Sequence, residues 1–220
     1  MDNDKETKEA KEAKENKIRE AEAAYATQNK YGIGADKKQG EWTVEDYFRI
    51  PDDIRVEIID GVIYDMAAPT KAHQTIAGEI FWQLRNCRKE HGMPCVPMIA
   101  PVDVQLGEDG KTMVQPDVLI VCDGSFDLVL EVISDSSRHK DTVIKLRKYR
   151  ESGCREYWIV DPKSRKVMVF EFEKADLPKE YTFDDKIPVG ISEGLCEVDF
   201  STMEGLLEDG RRSCGPLWTE

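Results

Sequence analysis

Two hydrophobic periods alternate along the chain. Over residues 72–91 apolar side chains recur at helical steps, with Ile76, Ile80 and Leu84 on one face and Phe81 beside them. This spacing predicts an amphipathic helix, and Gly92 supplies its stop. Upstream, residues 56–59 and 62–64 are β-rich runs around Asp60-Gly61, a dipeptide suited to a two-residue hairpin turn. Thr43, followed three residues later by Asp46, reads as the N-cap of a short helix. Downstream, strands are expected over 95–106, 114–122 and 127–134, then a helix over 139–152 that closes at Gly153. Strands over 156–160 and 166–172 follow, joined by Asp161-Pro162-Lys163-Ser164. The remainder is less regular, with a strand expected over 187–191 and a short helix near residue 203. Strands interspersed with helices in this order predict an α+β or mixed α/β fold, a mixed central β-sheet flanked by helices, rather than a doubly wound parallel sheet.

Composition adds boundaries. Of 220 residues 40% are hydrophobic, enough for one cored domain with an extension. Residues 1–24 are a Lys/Glu/Ala run without an apolar face, expected to be a solvated tail, partly helical or disordered. Gly32, Gly34 and Gly40 mark a linker, so the expected division is an extension over 1–40, a domain over 41–205 and a tail over 206–220. No apolar run is long enough to span a bilayer or serve as a signal peptide, and a cytoplasmic protein is expected. The six cysteines are widely spread with no C-x-x-C pair, which argues for reduced thiols and against both structural zinc and disulfides. The net charge is −13, and residues 1–40 carry nine basic and nine acidic residues, so the whole deficit falls on the domain. Such a surface repels nucleic acid in bulk; binding it would require a local basic strip.

Chemistry concentrates in two strands. Leu128-Val129-Leu130-Glu131-Val132-Ile133 is a nearly continuous apolar run, and a carboxylate in its middle is costly unless paired. Pro116-Asp117 leads directly into a second apolar run, 118–121. If the hairpin between them is symmetric about Gly124, paired residue numbers sum to 248, and Asp117 then faces Glu131 on one side of the sheet. Two facing carboxylates repel unless something compensates, and a divalent cation with a taste for oxygen ligands, magnesium or manganese, does so. An ordinary salt bridge to a lysine or arginine is the competing explanation.

The ordered set Gln115-Pro116-Asp117, Glu131-Val132-Ile133-Ser134, Asp141 with Lys145 and Tyr149, and 153–162 (GCREYWIVDP) resembles the Uma-type restriction endonuclease family of the PD-(D/E)XK nuclease superfamily. Arg55-Val56-Glu57-Ile58-Ile59-Asp60-Gly61 and His73-Gln74 extend the likeness, which runs from about Trp42 to about residue 200. The resemblance implies a restriction endonuclease-like core, magnesium-dependent phosphodiester cleavage of nucleic acid, DNA first, and a homodimer. By position it makes Asp117 and Glu131 the metal ligands. The superfamily's lysine normally lies two residues after the acid, where this chain has Ile133, and the usual proline after the serine is Asp135. Lys145, four residues after Asp141 and four before Tyr149 on one helix face, is the replacement, with Lys140 and Lys148 as alternates. On residue type alone, Lys145 and Asp141 could equally form a surface ion pair. Glu57, His73, Asp141 and Tyr149 are further site candidates, whereas Tyr157 and Trp158 read as core.

The function expected is a metal-dependent endonuclease using a metal-activated water. Two alternatives stand beside it: a non-catalytic binding or dimerisation module on a nuclease fold, and a small-nucleotide phosphodiesterase, for which an acidic surface matters less.

Overall fold

A computed structural model of the chain describes residues 30–34 and 37–213, with Asn16, Lys17 and Arg19; side chains are described as far as Glu208. The expectations for the charged extension and for most of the C-terminal tail therefore fall outside the described residues. The chain divides into two compact units, one comprising residues 1–67 and 108–113, the other 68–107 and 114–220.

The first unit is organised by local signals. Thr43 caps helix α1 (Val44–Tyr47) with a full capping box, its hydroxyl accepting from the Asp46 amide while the Asp46 carboxylate accepts from the Thr43 amide. Strands β1 (Val56–Ile59) and β2 (Val62–Asp65) form the expected hairpin, with Ile59 opposite Val62. Asp60 and Gly61 both have positive φ, 51° and 73°, as the tight turn demands. Gly61 is required twice over, since a Cβ there would lie 2.4 Å from the Gly40 carbonyl oxygen. Trp42, Ile50, Val56, Ile58 and Ile63 form the core of this unit.

The second unit is built on helix α2 (Lys71–His91) and a six-stranded mixed sheet. Thr70 caps α2, and Gly92 closes it in the left-handed conformation. The strands run β3 (Val96–Ile99), β6 (Val118–Cys122), β7 (Ser125–Val132), β8 (Glu156–Asp161), β9 (Lys166–Glu171) and β10 (Lys179–Thr182). Their spatial order is β10-β9-β8-β7-β6-β3, and only β7 and β8 are parallel. The crossover between them carries a π-helical turn (Lys140–Lys145) that continues into helix α3 (Leu146–Glu151). Ile76, Ile80 and Leu84 of α2 pack on one face of the sheet with Val118, Leu128, Leu130, Val132, Trp158 and Val160. The strand β12 (Glu197–Asp199), paired with β11 (Lys186–Pro188), and helix α4 (Met203–Ser213) complete the unit.

Three expectations are corrected. The run 95–106 is not one strand: β3 stops before Pro101, and a two-residue strand β4 (Val104–Gln105) follows. The run 114–122 likewise splits into β5 (Met113–Val114) and β6, because Pro116 has no amide to give a ladder. Four of the cysteines are not reduced: Cys87 bonds Cys196, and Cys95 bonds Cys122. The second pair extends the β3–β6 register, in which Val96 faces Val121, by one position. Both partnerships join residues that only the tertiary fold brings together, so spacing along the chain concealed them. Cys154 is a free, buried thiol, pushed up to about 12 chiefly by loss of solvent.

Candidate active site

The β6–β7 hairpin sets the geometry. Its turn, Asp123-Gly124, joins Cys122 to Ser125, so pairs near the turn sum to 247. A bulge then intervenes: Ile120 faces Leu128, Val121 faces Phe126, and Asp127 is left over. Beyond it the pairs sum to 248, as in Val118 with Leu130. The register expected from a hairpin symmetric about Gly124 thus holds at the site end for a different reason, since the turn itself is one residue shorter.

Backbone pairing ends at Val118, and Asp117 takes over with its side chain. Its Oδ2 accepts the Val132 amide at 2.8 Å, which holds the carboxylate at the end of β7, one residue from Glu131. The Asp117 carbonyl accepts the Ala100 amide at 2.9 Å, so both ends of the residue are fixed. His73, in the first turn of α2, brings Nε2 to 3.0 Å from the same Oδ2. Toward a carboxylate Nε2 acts as a donor. Its Nδ1 is buried and has no hydrogen-bond partner among the described residues.

Glu131 lies on the sheet face opposite the α2 core and is 3% exposed. Its Oε1 accepts from the Lys145 ammonium at 2.9 Å and from the Tyr149 hydroxyl at 3.3 Å. Asp141 Oδ1 lies 3.7 Å from the same ammonium. All four side chains are buried, so the Lys145–Asp141 pair is an interior contact and not the surface pair that the spacing alone allows. The hydroxyl of Tyr157 donates to the Asp141 carbonyl at 3.0 Å, which pins the π-helical turn from beneath. Burial first, then the charges of Glu131 and Asp141, push the Tyr157 phenol well above its ordinary range, so it stays a donor.

The predicted residues therefore fall into groups. Asp117 and His73 meet at the end of the ladder; Glu131, Lys145, Asp141 and Tyr149 form one buried cluster. Lys148 pairs with Glu151 at 3.9 Å. Ile133 is buried, and its amide donates to the Val160 carbonyl at 2.9 Å, so the position where the resemblance would place a lysine serves the sheet. Glu57 is fully buried in β1 of the other unit. Tyr157 is buried in the core as expected, but sequence reasoning missed that its hydroxyl reaches the Asp141 carbonyl, and it missed the π-helical turn. A tyrosine inside an apolar strand carries a hydroxyl that needs a partner, and that was the available signal.

Among the described residues no three or more His, Cys, Asp or Glu side chains are grouped as a metal cage. Magnesium does not require one, since it commonly takes one or two carboxylates and completes its shell with waters and substrate phosphates. The hard oxygens of Asp117 and Glu131 fit that demand. Asp141 adds a second carboxylate beside the Lys145 ammonium that Glu131 meets.

Comparisons with known proteins agree with this architecture. The family model described as "Putative restriction endonuclease", Uma2, matches residues 44–195. Among solved structures, a putative nuclease belonging to DUF820 from Anabaena variabilis superposes with a TM-score of 0.63 at 15% identity, covering 75% of this chain and 98% of its own. At that identity the likeness establishes the fold. No curated protein matches the sequence. The family model spans well over half of the chain and takes in Asp117, Glu131, Asp141, Lys145 and Tyr149, so the chain belongs to the Uma2 restriction endonuclease family.

Proposed function

We propose that the protein is a divalent-cation-dependent nuclease that hydrolyses phosphodiester bonds of nucleic acid, with DNA as the first substrate to test. The observation that carries this reading is the Lys145–Glu131 hydrogen bond inside a carboxylate-rich cluster at the end of the β6–β7 ladder. Asp117 and Glu131 would hold magnesium or manganese. The bound ion supplies a lowered water pKa and a counter-charge for the leaving oxygen. His73 orients the Asp117 carboxylate through Nε2. Tyr149 and Lys145 fix the rotamer of Glu131, and the ammonium is placed to offset charge that builds on phosphoryl oxygens. Ile133 excludes water from the side of the sheet.

Thermal unfolding with magnesium or manganese titrated in tests the cation site directly, because a ligand of the folded state raises the melting temperature with occupancy. A rise in the wild type that is absent in Asp117→Asn, together with cation-dependent cleavage lost in the same variant, is the expected result. Undiminished cleavage by Asp117→Asn and Glu131→Gln would overturn the site assignment. One observation favours a second reading, a non-catalytic binding module. Lys145 already neutralises Glu131, so the cluster is in part self-satisfied, and that reading expects no cation-linked rise in either protein.

A further inference from the structure

The outer face of α2 differs from the rest of this acidic surface. Lys71, Thr75, Gly78, Trp82, Arg85 and Lys89 follow one another at steps of four, three, four, three and four, which puts them in one row. The row lies opposite the buried Ile76, Ala77, Ile80 and Leu84. From Lys71 to Lys89 it extends about 27 Å. No acidic residue falls in it. Glu79, on the flank, is engaged by Gln83 and Thr202.

Trp82 is 59% exposed in the middle of this row. A Cβ at Gly78, one turn earlier, would meet nothing within 4 Å, so the space beside the indole is open. Arg85, one turn on, has its guanidinium 5.9 Å from the Phe81 ring centroid. Most basic side chains of this unit are answered by carboxylates, as in Arg165 with Glu204, Lys163 with Asp135 and Lys186 with Asp199. Among the described residues no carboxylate lies within ion-pair distance of Arg85 or Lys89. In a chain of net charge −13, two unanswered cations beside a bare indole ask for a partner that is both anionic and aromatic.

We propose that the outer face of α2 is a docking strip for single-stranded nucleic acid, with a base stacked on Trp82 and backbone phosphates on Arg85 and Lys89. Base–aromatic stacking flanked by cations is how single strands are held without sequence readout. A duplex hides its base faces and gains little from an open indole. The choice of partner rests on the nuclease reading above. His73, which touches Asp117, is on the inner side of the same helix, two residues and about 200° from Lys71, so the strip faces away from that site and would hold the strand rather than present the scissile bond. The strip is a local basic surface on which an otherwise acidic chain can hold nucleic acid.

The test is fluorescence anisotropy with a labelled oligo-dT, in EDTA, using the full chain and its Asp117→Asn variant so that no cleavage is needed. Wild type and Asp117→Asn are expected to bind alike, and more tightly to the single strand than to a matched duplex. Trp82→Ala, at an exposed position, should keep its melting temperature and bind about tenfold more weakly. Arg85→Ala with Lys89→Ala should lower the slope of log affinity against log salt by about 1.4. An unchanged affinity in Trp82→Ala, equal binding of duplex, or no binding by the wild type would overturn the strip. So would a Trp82-dependent self-association in sedimentation, which would assign the face to a second copy of the chain. Cleavage by the wild type with unchanged binding in Trp82→Ala sinks the strip alone; Trp82-dependent binding without cation-dependent cleavage sinks the nuclease reading alone.

Discussion

Glu131 and Glu156 are buried carboxylates on adjacent strands, β7 and β8, and the two faces of one sheet treat them differently. Glu156 is 1% exposed and is met by groups that cannot move a charge: the Trp158 indole at 2.7 Å and the amides of Gly190 and Ile191 at 3.1 and 3.0 Å. Burial, the largest influence, lifts its pKa above the ordinary 4.5, against the pull of those three donors. Glu131 is met by Lys145 and Tyr149, side chains that themselves carry or exchange protons. Fixed donors make Glu156 a joint between β8 and the 190–192 turn. Ionisable donors make Glu131 a group whose surroundings can answer a change of charge. Burial alone did not distinguish the two; the chemistry of the partners does.

The comparison can be broken most forcefully at Lys145. Lys145→Met leaves Glu131 and Asp141 buried without their ammonium and should cost about 3–5 kcal/mol in urea unfolding. Adding Glu131→Gln to that variant should recover part of the loss, which an independent pair of sites would not do. Glu156→Gln turns an amide toward the Ile191 N–H and should cost about 2 kcal/mol. It should leave any cation-linked rise in melting temperature intact; loss of that rise would mean that Glu156 also serves the cation site. Tyr149→Phe removes one hydrogen bond to Glu131 and is expected to cost about 1 kcal/mol by the same measurement.

The smallest effect is expected at Glu171, on the same face as Glu156, where Lys174 and Lys179 hold the carboxylate below its ordinary 4.5. With the folded pKa depressed, the unfolded chain takes up its proton first as acid is added. Its stabilisation is therefore complete above the ordinary carboxylate range and fades as pH falls through the folded value. The melting-temperature gap between wild type and Glu171→Gln should close over that acid limb. A gap that is constant with pH would mean that the pair contributes through packing alone. Both lysines are more than half exposed, so the gap should be modest throughout.

Much of this was legible in the chain where the determinants are local. Asp60-Gly61 announces its hairpin, Thr43 with Asp46 its cap, and the Ile76–Ile80–Leu84 spacing its helix. Asp117 and Glu131 stood out because carboxylates beside apolar strands need a reason. What was hidden depends on contacts between distant segments. Nothing adjacent to Cys87 points to Cys196. The weakly apolar 179–182 segment, KEYT, becomes strand β10 because β9 offers it an edge. The π-helical turn likewise has a distant contact, a tyrosine sixteen residues away whose hydroxyl donates to the Asp141 carbonyl. Nothing along the chain separates Trp82 from a core aromatic; its exposure follows from how α2 packs.

The bulge at Asp127 works as a parity bit. Opposite the two-residue turn, an unbulged hairpin would pair Asp117 with Leu130, and the alternation of β7 would send Glu131 to the oily side of the sheet. One surplus residue corrects the count for every position beyond it. Its Oδ2 accepts from the Ser125 hydroxyl at 2.8 Å, and its carbonyl accepts from the Arg155 amide at 3.1 Å. A single deletion there would scramble the two faces while leaving every candidate site residue in the sequence, whereas paired changes, one residue gained in the turn and one lost at the bulge, would be silent. Such a hairpin should therefore accept a change in its turn only with a compensating change at its bulge.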